Sequence, residues 1–186
     1  MSVLGSASSA VQLRLMQSSD AALYLHLFTC PEVMAAIGPP LPRHVAEATF
    51  ARACGYNAGD VPGHRFWIVG DALGADLGLA SLVRDGDTAE LGIMLLPEAW
   101  DGRRAKPALA KVIDHAFAGI GLRALYARSA DGVRARLSRR LLSPYPFVPA
   151  DAEPGRAAWV LSRDGWARCH AANVACRNTT LPATAC

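Results

Sequence analysis

The first third of the chain combines one alternating segment with helical periodicity. Residues 11–15 alternate apolar and polar side chains, which predicts a short strand. Apolar residues then recur at steps of three and four, and Pro31 suits the first turn of a helix. This pattern predicts three helices, over residues 20–28, 31–37 and 43–54. Residues 55–63 are rich in Gly, Asn, Asp and Pro, which predicts a loop.

The middle of the chain changes to the period of two that is typical of strands. Aromatic and β-branched residues predict strands over residues 65–69, 77–84 and 88–96. Asp85-Gly86-Asp87 separates the last two of these segments and is a strong hairpin signal. The three segments are therefore predicted to form an antiparallel meander.

A helical stripe follows the meander. Apolar residues recur at steps of three and four between Leu109 and Ile120, which predicts a helix over residues 104–118 that ends at Gly119 and Gly121. A strand is predicted at 124–129, so that strand, helix and strand form a crossover with a locally parallel pair. The remaining predictions are a basic helix at 132–142, a strand at 157–161 and an irregular or partly helical segment after Trp166.

Composition narrows the class of protein. The 186 residues, 52% hydrophobic and 19% charged, suit one globular domain, predicted over residues 1–166 with an irregular tail at 167–186. No apolar run reaches the roughly 18 residues that span a bilayer, and the N-terminus lacks the features of a secretory signal. A net charge of +3 does not imply a nucleic-acid partner. We expect a cytoplasmic monomer or homodimer.

Five cysteines, an odd number at irregular spacing, favour free thiols in a reducing compartment over a disulfide framework. Cys169, His170 and Cys176 lack a fourth ligand at a usual distance, so no metal site is predicted.

Several motifs occur in an order typical of one enzyme family. They are Phe66-Trp67-Ile68-Val69-Gly70, Leu77-Gly78, the run from Ala89 to Trp100 (AELGIMLLPEAW), Ala105 to Leu109, and Asp114-His115-Ala116-Phe117. The chain resembles the GNAT superfamily of N-acetyltransferases, and within it the ribosomal-protein-alanine acetyltransferase (RimJ/RimL) type. The resemblance implies an α/β (α+β) fold with a mixed, mostly antiparallel central sheet of about six to seven strands flanked by helices. It also implies acetyl-CoA as the cosubstrate.

The loop that binds the coenzyme A diphosphate in this family departs from its usual pattern of Arg/Gln-x-x-Gly-x-Gly/Ala. The aligned residues are Trp100 to Ala105 (WDGRRA), where Ala105 fits, Arg103 replaces the central glycine and Gly102 comes one residue early. Two outcomes stay open: Arg103 and Arg104 replace backbone donors with charge-assisted hydrogen bonds, or the Cβ of Arg103 blocks the approach of the diphosphate. The expected cofactor-binding residues are Gly102, Arg103, Arg104, Ala105, Lys106 and Asp131, with the backbone of Ile93 and Leu95.

The resemblance also implies catalytic positions. Amine acetylation by a thioester needs a neutral amine, a polarised carbonyl and a protonated leaving thiolate. Glu90 matches the carboxylate that draws a proton from the ammonium, and Ser138 occupies the place of the hydroxyl that protonates the sulfur. Each has a structural alternative, a surface carboxylate and a solvated helix serine. Asp131 stands where the family often has Asn, which removes an amide donor.

The predicted function is acetyl transfer from acetyl-CoA to a primary amine, either a peptide or protein N-terminus or a small amine. The alternative is a catalytically silent GNAT-fold module that binds a ligand or a partner protein. The arginines of the basic helix, Arg134, Arg136, Arg139 and Arg140, form either a solvated face or a contact for the adenosine 3′-phosphate or an acidic substrate. A nucleic-acid role for this helix is the least favoured hypothesis.

Overall fold

The computed structural model describes residues 11–35, 37–60, 63–100 and 103–178, with side chains described up to residue 172. Within these residues one sheet has the strand order β1-β2-β3-β4-β5-β7-β6. The strands are β1 (Gln12–Leu15), β2 (Arg65–Gly70), β3 (Asp76–Asp85), β4 (Thr88–Leu95), β5 (Ala124–Ala130), β6 (Val148–Ala150) and β7 (Arg156–Ser162). The helices are α1 (Ala21–Thr29), α2 (Pro31–Met34), α3 (Arg43–Ala58), α4 (Ala105–Asp114), α5 (Val133–Leu142) and α6 (Arg163–Asn178).

The sheet confirms the predicted fold class, a mixed and mostly antiparallel sheet flanked by helices. β4 and β5 pair in parallel, and the other neighbouring pairs are antiparallel. The helix α4 connects β4 to β5, as the predicted crossover requires. The predicted hairpin is also confirmed, because Asp85 pairs with Thr88 across a two-residue loop in which Gly86 has a φ of 58°.

Two hydrophobic layers cover the two faces of the sheet. On one face Val112 and Ile113 of α4, and Phe117 of the π-helical turn that follows it, are buried against β-strand side chains such as Leu82 and Leu125. On the other face Tyr24 and Leu27 of α1 and Ala53 of α3 pack against Ile68 and Leu79. Because side chains alternate along a strand, each strand contributes to both layers. The faces are called the α4 face and the α1–α3 face below.

Some boundaries differ from the prediction. The helix predicted over residues 104–118 begins at Ala105 and changes at His115 into a π-helical turn, His115–Ile120, which ends at Gly121 in a left-handed conformation (φ 80°). α2 ends at Met34 rather than at residue 37. β6 was not predicted, because its three residues, Val148, Pro149 and Ala150, are too few to set up a visible alternation.

The segment after Trp166, expected to be irregular or partly helical, is helical as far as it is described. α6 crosses the predicted boundary at residue 166 and runs to Asn178. Trp166 holds the start of this helix against the core: its ring stacks on Phe117, with centroids 5.3 Å apart, and its Nε1 donates to Asp114 at 3.0 Å. Residues 179–186 lie outside the described residues, and the extent of the domain stays a prediction. No helix in the described ranges is long and apolar enough to cross a bilayer.

Candidate active site

The parallel pair β4–β5 separates partway along its length. The two strands pair from Thr88–Ala124 to Leu91–Ala127, where their shared register ends. Both strands continue beyond that point: β4 stays paired with β3 up to Leu95, and β5 stays paired with β7 up to Ala130. A gap between the two strand edges therefore opens in the middle of the sheet. We call this gap the splay.

The hydrogen-bond pattern of the sheet determines which backbone groups border the splay. Leu96 donates to the carbonyl of Leu77 at 2.9 Å, and in an antiparallel ladder every second residue makes such bonds to the same neighbour. It follows that Met94 and Gly92 direct their N–H groups toward β3. Ile93 and Leu95, the two residues whose backbone is expected to bind the cofactor, direct theirs toward the splay. The backbone carbonyl of Leu95 accepts a hydrogen bond from the Nε1 of Trp100 at 2.8 Å.

The start of α4 places further polar groups near the end of β4. Ala105, Lys106 and Pro107 form the first turn of the helix, and the N–H of Ala108 bonds back to the carbonyl of Arg104 at 3.2 Å. The N–H groups of a first turn attract anions, but Pro107 has none to offer. The methyl group of Ala105 is buried in the core. Ala105 can therefore reach an anion only through its backbone and not through its side chain.

Arg104 makes a contact that the sequence did not predict. Its guanidinium lies 3.6 Å from the carboxylate of Asp71, in the turn between β2 and β3. The backbone N–H groups of Ala75 and Leu73 also donate to this carboxylate. With the Ala75 N–H as the largest cause, these groups and Arg104 hold the pKa of Asp71 below its usual value. Arg104 thus ties the start of α4 to this turn. Arg103 is exposed next to it, and Gly102 lies outside the described residues.

Glu90 lies where the two strands are about to separate. Its neighbours Ala89 and Leu91 are buried against the α4 face, so the alternation of the strand directs Glu90 to the α1–α3 face. Its carboxylate accepts a hydrogen bond from Arg128 of β5. The Cζ atom of Arg128 also lies 5.7 Å from the ring centroid of Tyr126, which pairs with Glu90 in the parallel register. Glu90 is therefore one half of an accessible ion pair at the mouth of the splay.

Ser138 and Asp131 lie on the β5 side of the splay. Ser138 is half-buried on α5, on the same stripe as Ala135, Leu141 and Leu142, which pack into the core. This placement favours an inward-facing serine over a solvated one. Asp131 is exposed after the end of β5, and its carboxylate accepts the N–H of Gly132 at 2.7 Å. Since α5 packs on the α4 face, Ser138 and Glu90 lie on opposite faces of the sheet.

The sequence was compared with models of known protein families. The family model described as "Acetyltransferase (GNAT) domain" matches residues 11–135, which is more than half of the chain. The chain belongs to the GNAT acetyltransferase family. The match extends from β1 to the start of α5, so it includes Glu90, the splay and the first turn of α4, and it ends before Ser138.

Solved structures share this GNAT fold at low sequence identity. A spermidine N-acetyltransferase from Vibrio cholerae, in complex with CoA and spermine, superposes with a TM-score of 0.71 at 18% identity, over 86% of this chain and 99% of that one. A GNAT-family acetyltransferase from Bacillus anthracis has a TM-score of 0.67 at 13% identity, over 83% and 95% of the two chains. No curated protein sequence matches the chain. At these identities the superpositions establish the fold.

Three features of this GNAT site were not predicted from the sequence: the bonds of Arg128 to Glu90, of Asp71 to Arg104, and of Trp100 to Leu95. The contacts of Arg128 and of Arg104 join segments that are distant in the sequence, so their proximity is visible only in the folded chain. The contact of Trp100 is local, because it joins residues five positions apart. Among the described residues, no three His, Cys, Asp or Glu side chains are grouped as metal ligands.

Proposed function

We propose that the protein transfers the acetyl group of acetyl-CoA to a primary amine. The observation that carries this proposal is the splay, which exposes the backbone N–H groups of Ile93 and Leu95 between two strands that are otherwise paired. An extended amide-containing chain can bind such an edge as an added strand does. The pantetheine arm of coenzyme A is a chain of this kind, so the residues present fit the cosubstrate.

The diphosphate of the cosubstrate would lie at the start of α4. The N–H groups of Ala105 and Lys106 and the helix dipole favour an anion there, and Arg103 and Lys106 add positive charge. Arg104 would not contact the diphosphate itself; its ion pair with Asp71 would hold the start of α4 in position. In this arrangement side-chain charge compensates for the N–H that Pro107 lacks and for the glycine that Arg103 replaces.

Acetyl-CoA supplies the acetyl group as a thioester. Glu90, directly or through water, would take a proton from the acceptor ammonium, so that the neutral nitrogen can attack the carbonyl carbon. The N–H groups that border the splay would stabilise the negative charge that develops on the carbonyl oxygen. As the carbon–sulfur bond breaks, Ser138 on the opposite face would deliver a proton to the sulfur and would regain one, through water, from the positively charged nitrogen of the adduct. The products are an N-acetylated amine and free coenzyme A.

We infer a peptide N-terminus as the acceptor from the motifs shared with the RimJ/RimL type. The spermidine N-acetyltransferase of similar fold makes a small amine the second candidate. A silent binding module is the alternative to catalysis, and it is favoured by the arginine in the cofactor loop and by Pro107.

An assay of thiol release from acetyl-CoA, with a panel of peptides and small amines, tests the proposal. Glu90→Gln should lower kcat by about 10²-fold or more, as expected for loss of a general base, and should leave the Kd of acetyl-CoA nearly unchanged. Glu153→Gln, a change of the same type in an exposed loop, is the matched control and should keep the wild-type rate.

Two results would reject parts of this proposal. A wild-type rate in Glu90→Gln removes Glu90 from the mechanism. If no amine is acetylated but acetyl-CoA at about 100 times its Kd still stabilises the fold by about 2.7 kcal/mol, the protein is the silent module instead.

A further inference from the structure

The ion pair between Glu90 and Arg128 is accessible from the face on which an acceptor amine would approach. The side chains are 42% and 45% exposed, respectively. Both project from the α1–α3 face, whereas α4 covers the other face of β4. An ammonium that reaches Glu90 must therefore also come within contact distance of the Arg128 guanidinium.

The helices on this face offer few carboxylates to a cationic acceptor. From Ala21 to Pro42, which includes α1 and α2, the only acidic residue is Glu32. The acidic residue of α3, Glu47, is bound by Arg43 at 2.9 Å. A polyamine carries several positive charges and is best held by several unpaired carboxylates. Here the charge nearest to Glu90 is instead positive, so a polyamine would be repelled at the point of reaction.

We propose that Arg128 is a specificity-determining residue that binds a carboxylate carried by the acceptor close to its amine. This inference rests on the proposed acetyl transfer. An amine and a carboxylate one to three carbons apart form a dipole opposite in sense to the Glu90–Arg128 pair. Such an acceptor binds across the pair, with its ammonium on Glu90 and its carboxylate in a charge-assisted hydrogen bond to the guanidinium. The Tyr126 ring next to Arg128 holds the guanidinium in place.

Two sources supply this chemistry: a free α-amino acid, and an N-terminal Asp or Glu residue of a peptide. In the first the carboxylate is on the carbon that bears the amine, and in the second it is on the side chain. Both present a primary amine and an anion to the same pair of side chains, and matched acceptors distinguish them.

The experiment compares acceptors that differ only in the carboxylate. One pair is alanine and alaninamide, the other is the peptide amides Asp-Ala-Ala and Asn-Ala-Ala, and spermidine represents polycations. kcat/KM is measured for wild type, Arg128→Gln and Arg128→Lys. Arg123→Gln is the matched control, because Arg123 is also exposed and ion-paired, to Asp87 at 2.8 Å, but at the far end of the strand.

The preference is the ratio of kcat/KM for the carboxylate-bearing acceptor to kcat/KM for its amide counterpart. In Arg128→Gln we expect this ratio to fall at least about tenfold for one of the two acceptor pairs, mainly through KM. Arg128→Lys should fall between this variant and wild type, and Arg123→Gln should match wild type. The quantity compared is the change between protein variants, because amide and acid forms differ in amine pKa. The pair that responds identifies the source as a free amino acid or an acidic N-terminus.

The proposal is overturned if the preference is the same in wild type and Arg128→Gln, or if wild type uses spermidine better than either carboxylate-bearing acceptor. Both results require acetyl transfer and therefore leave the proposed function intact. If wild type releases no thiol with any acceptor, the proposed function fails, and this inference fails with it.

Discussion

Gly78 permits the close approach of β3 to the part of β4 that borders the splay. A Cβ atom at this position would lie 2.2 Å from the carbonyl oxygen of Met94 and 2.8 Å from the Cα of Leu95. Both are backbone atoms and cannot rotate out of the way. Gly78→Ala therefore forces β4 to move at residues 94 and 95, which include one of the two N–H groups proposed to bind the cosubstrate.

The loss of unfolding free energy in Gly78→Ala can be estimated from the known effects of overpacking. Overpacking by one methylene costs about 1–3 kcal/mol, and a clash with backbone belongs at the upper end. For a chain of this size, 1 kcal/mol changes Tm by about 2–4 °C. We expect Gly78→Ala to lose about 3 kcal/mol and about 6–12 °C, and to weaken acetyl-CoA binding through displacement of β4.

Two other glycines serve as controls in thermal and urea unfolding. A Cβ at Gly92 would lie 2.5 Å from the Ser81 hydroxyl, which can rotate away, so Gly92→Ala should cost less than Gly78→Ala. Gly55 lies within α3. Apart from the helix's own backbone and the neighbours in the chain, a Cβ there would have no atom of the described residues within 4 Å. Gly55→Ala should therefore stabilise the fold by about 0.5–1 kcal/mol. If Gly78→Ala is as stable as Gly92→Ala, the described approach of β3 to β4 is wrong.

Two further predictions concern side chains that bridge secondary-structure elements. Asn57 of α3 donates to the carbonyls of Met16 and Phe66, at 2.9 and 2.8 Å, and accepts the Phe66 N–H at 2.9 Å. At about 1 kcal/mol per bond, Asn57→Ala should lower the free energy of unfolding in urea by about 2–4 kcal/mol. A loss below about 1 kcal/mol would contradict this role. Burial lowers the pKa of His64, and the Nδ1 atom of this residue accepts the Arg84 N–H at 2.9 Å. The neutral imidazole therefore stabilises the fold above the ordinary pKa of 6.5, and this stabilisation is lost as the pH falls below that value. Unfolding free energies at about pH 7.5 and 5.5 should therefore differ more in wild type than in His64→Gln, and equal differences would exclude His64 as a cause.

The order of the elements was predictable because each follows from local periodicity. The meander, the stripe of α4 and the hairpin at Gly86 depend on residues close in sequence, and their predicted bounds agree with the structure to within a few residues. β6 and α6 were missed or underestimated for a different reason. Three residues cannot establish an alternation, and the sequence after Trp166 has little periodicity, whereas the contact of Trp166 with Phe117 at the start of α6 is visible only in the fold.

The candidate site was predictable only in part. Glu90, Ile93 and Leu95 come from the family resemblance; the structure places them beside the splay, and their roles stay predictions. The two arginines show what the sequence leaves out. Arg104 was expected at a phosphate because it lies in the cofactor loop, yet the fold brings Asp71 from a distant turn to meet it. Arg128 was not singled out, because its contact with Glu90 exists only once β4 and β5 align in parallel.

If the splay between β4 and β5 binds the cosubstrate through backbone groups, coenzyme A must change the environment of the amides that border it. Uniformly ¹⁵N-labelled protein is titrated with coenzyme A and followed by amide NMR. We expect the largest shift changes at the amides of Ile93, Leu95, Ala105 and Lys106, with little change at residues of α3. Saturating coenzyme A that leaves the Ile93 and Leu95 amides unmoved while other amides shift, or that shifts none, would contradict it.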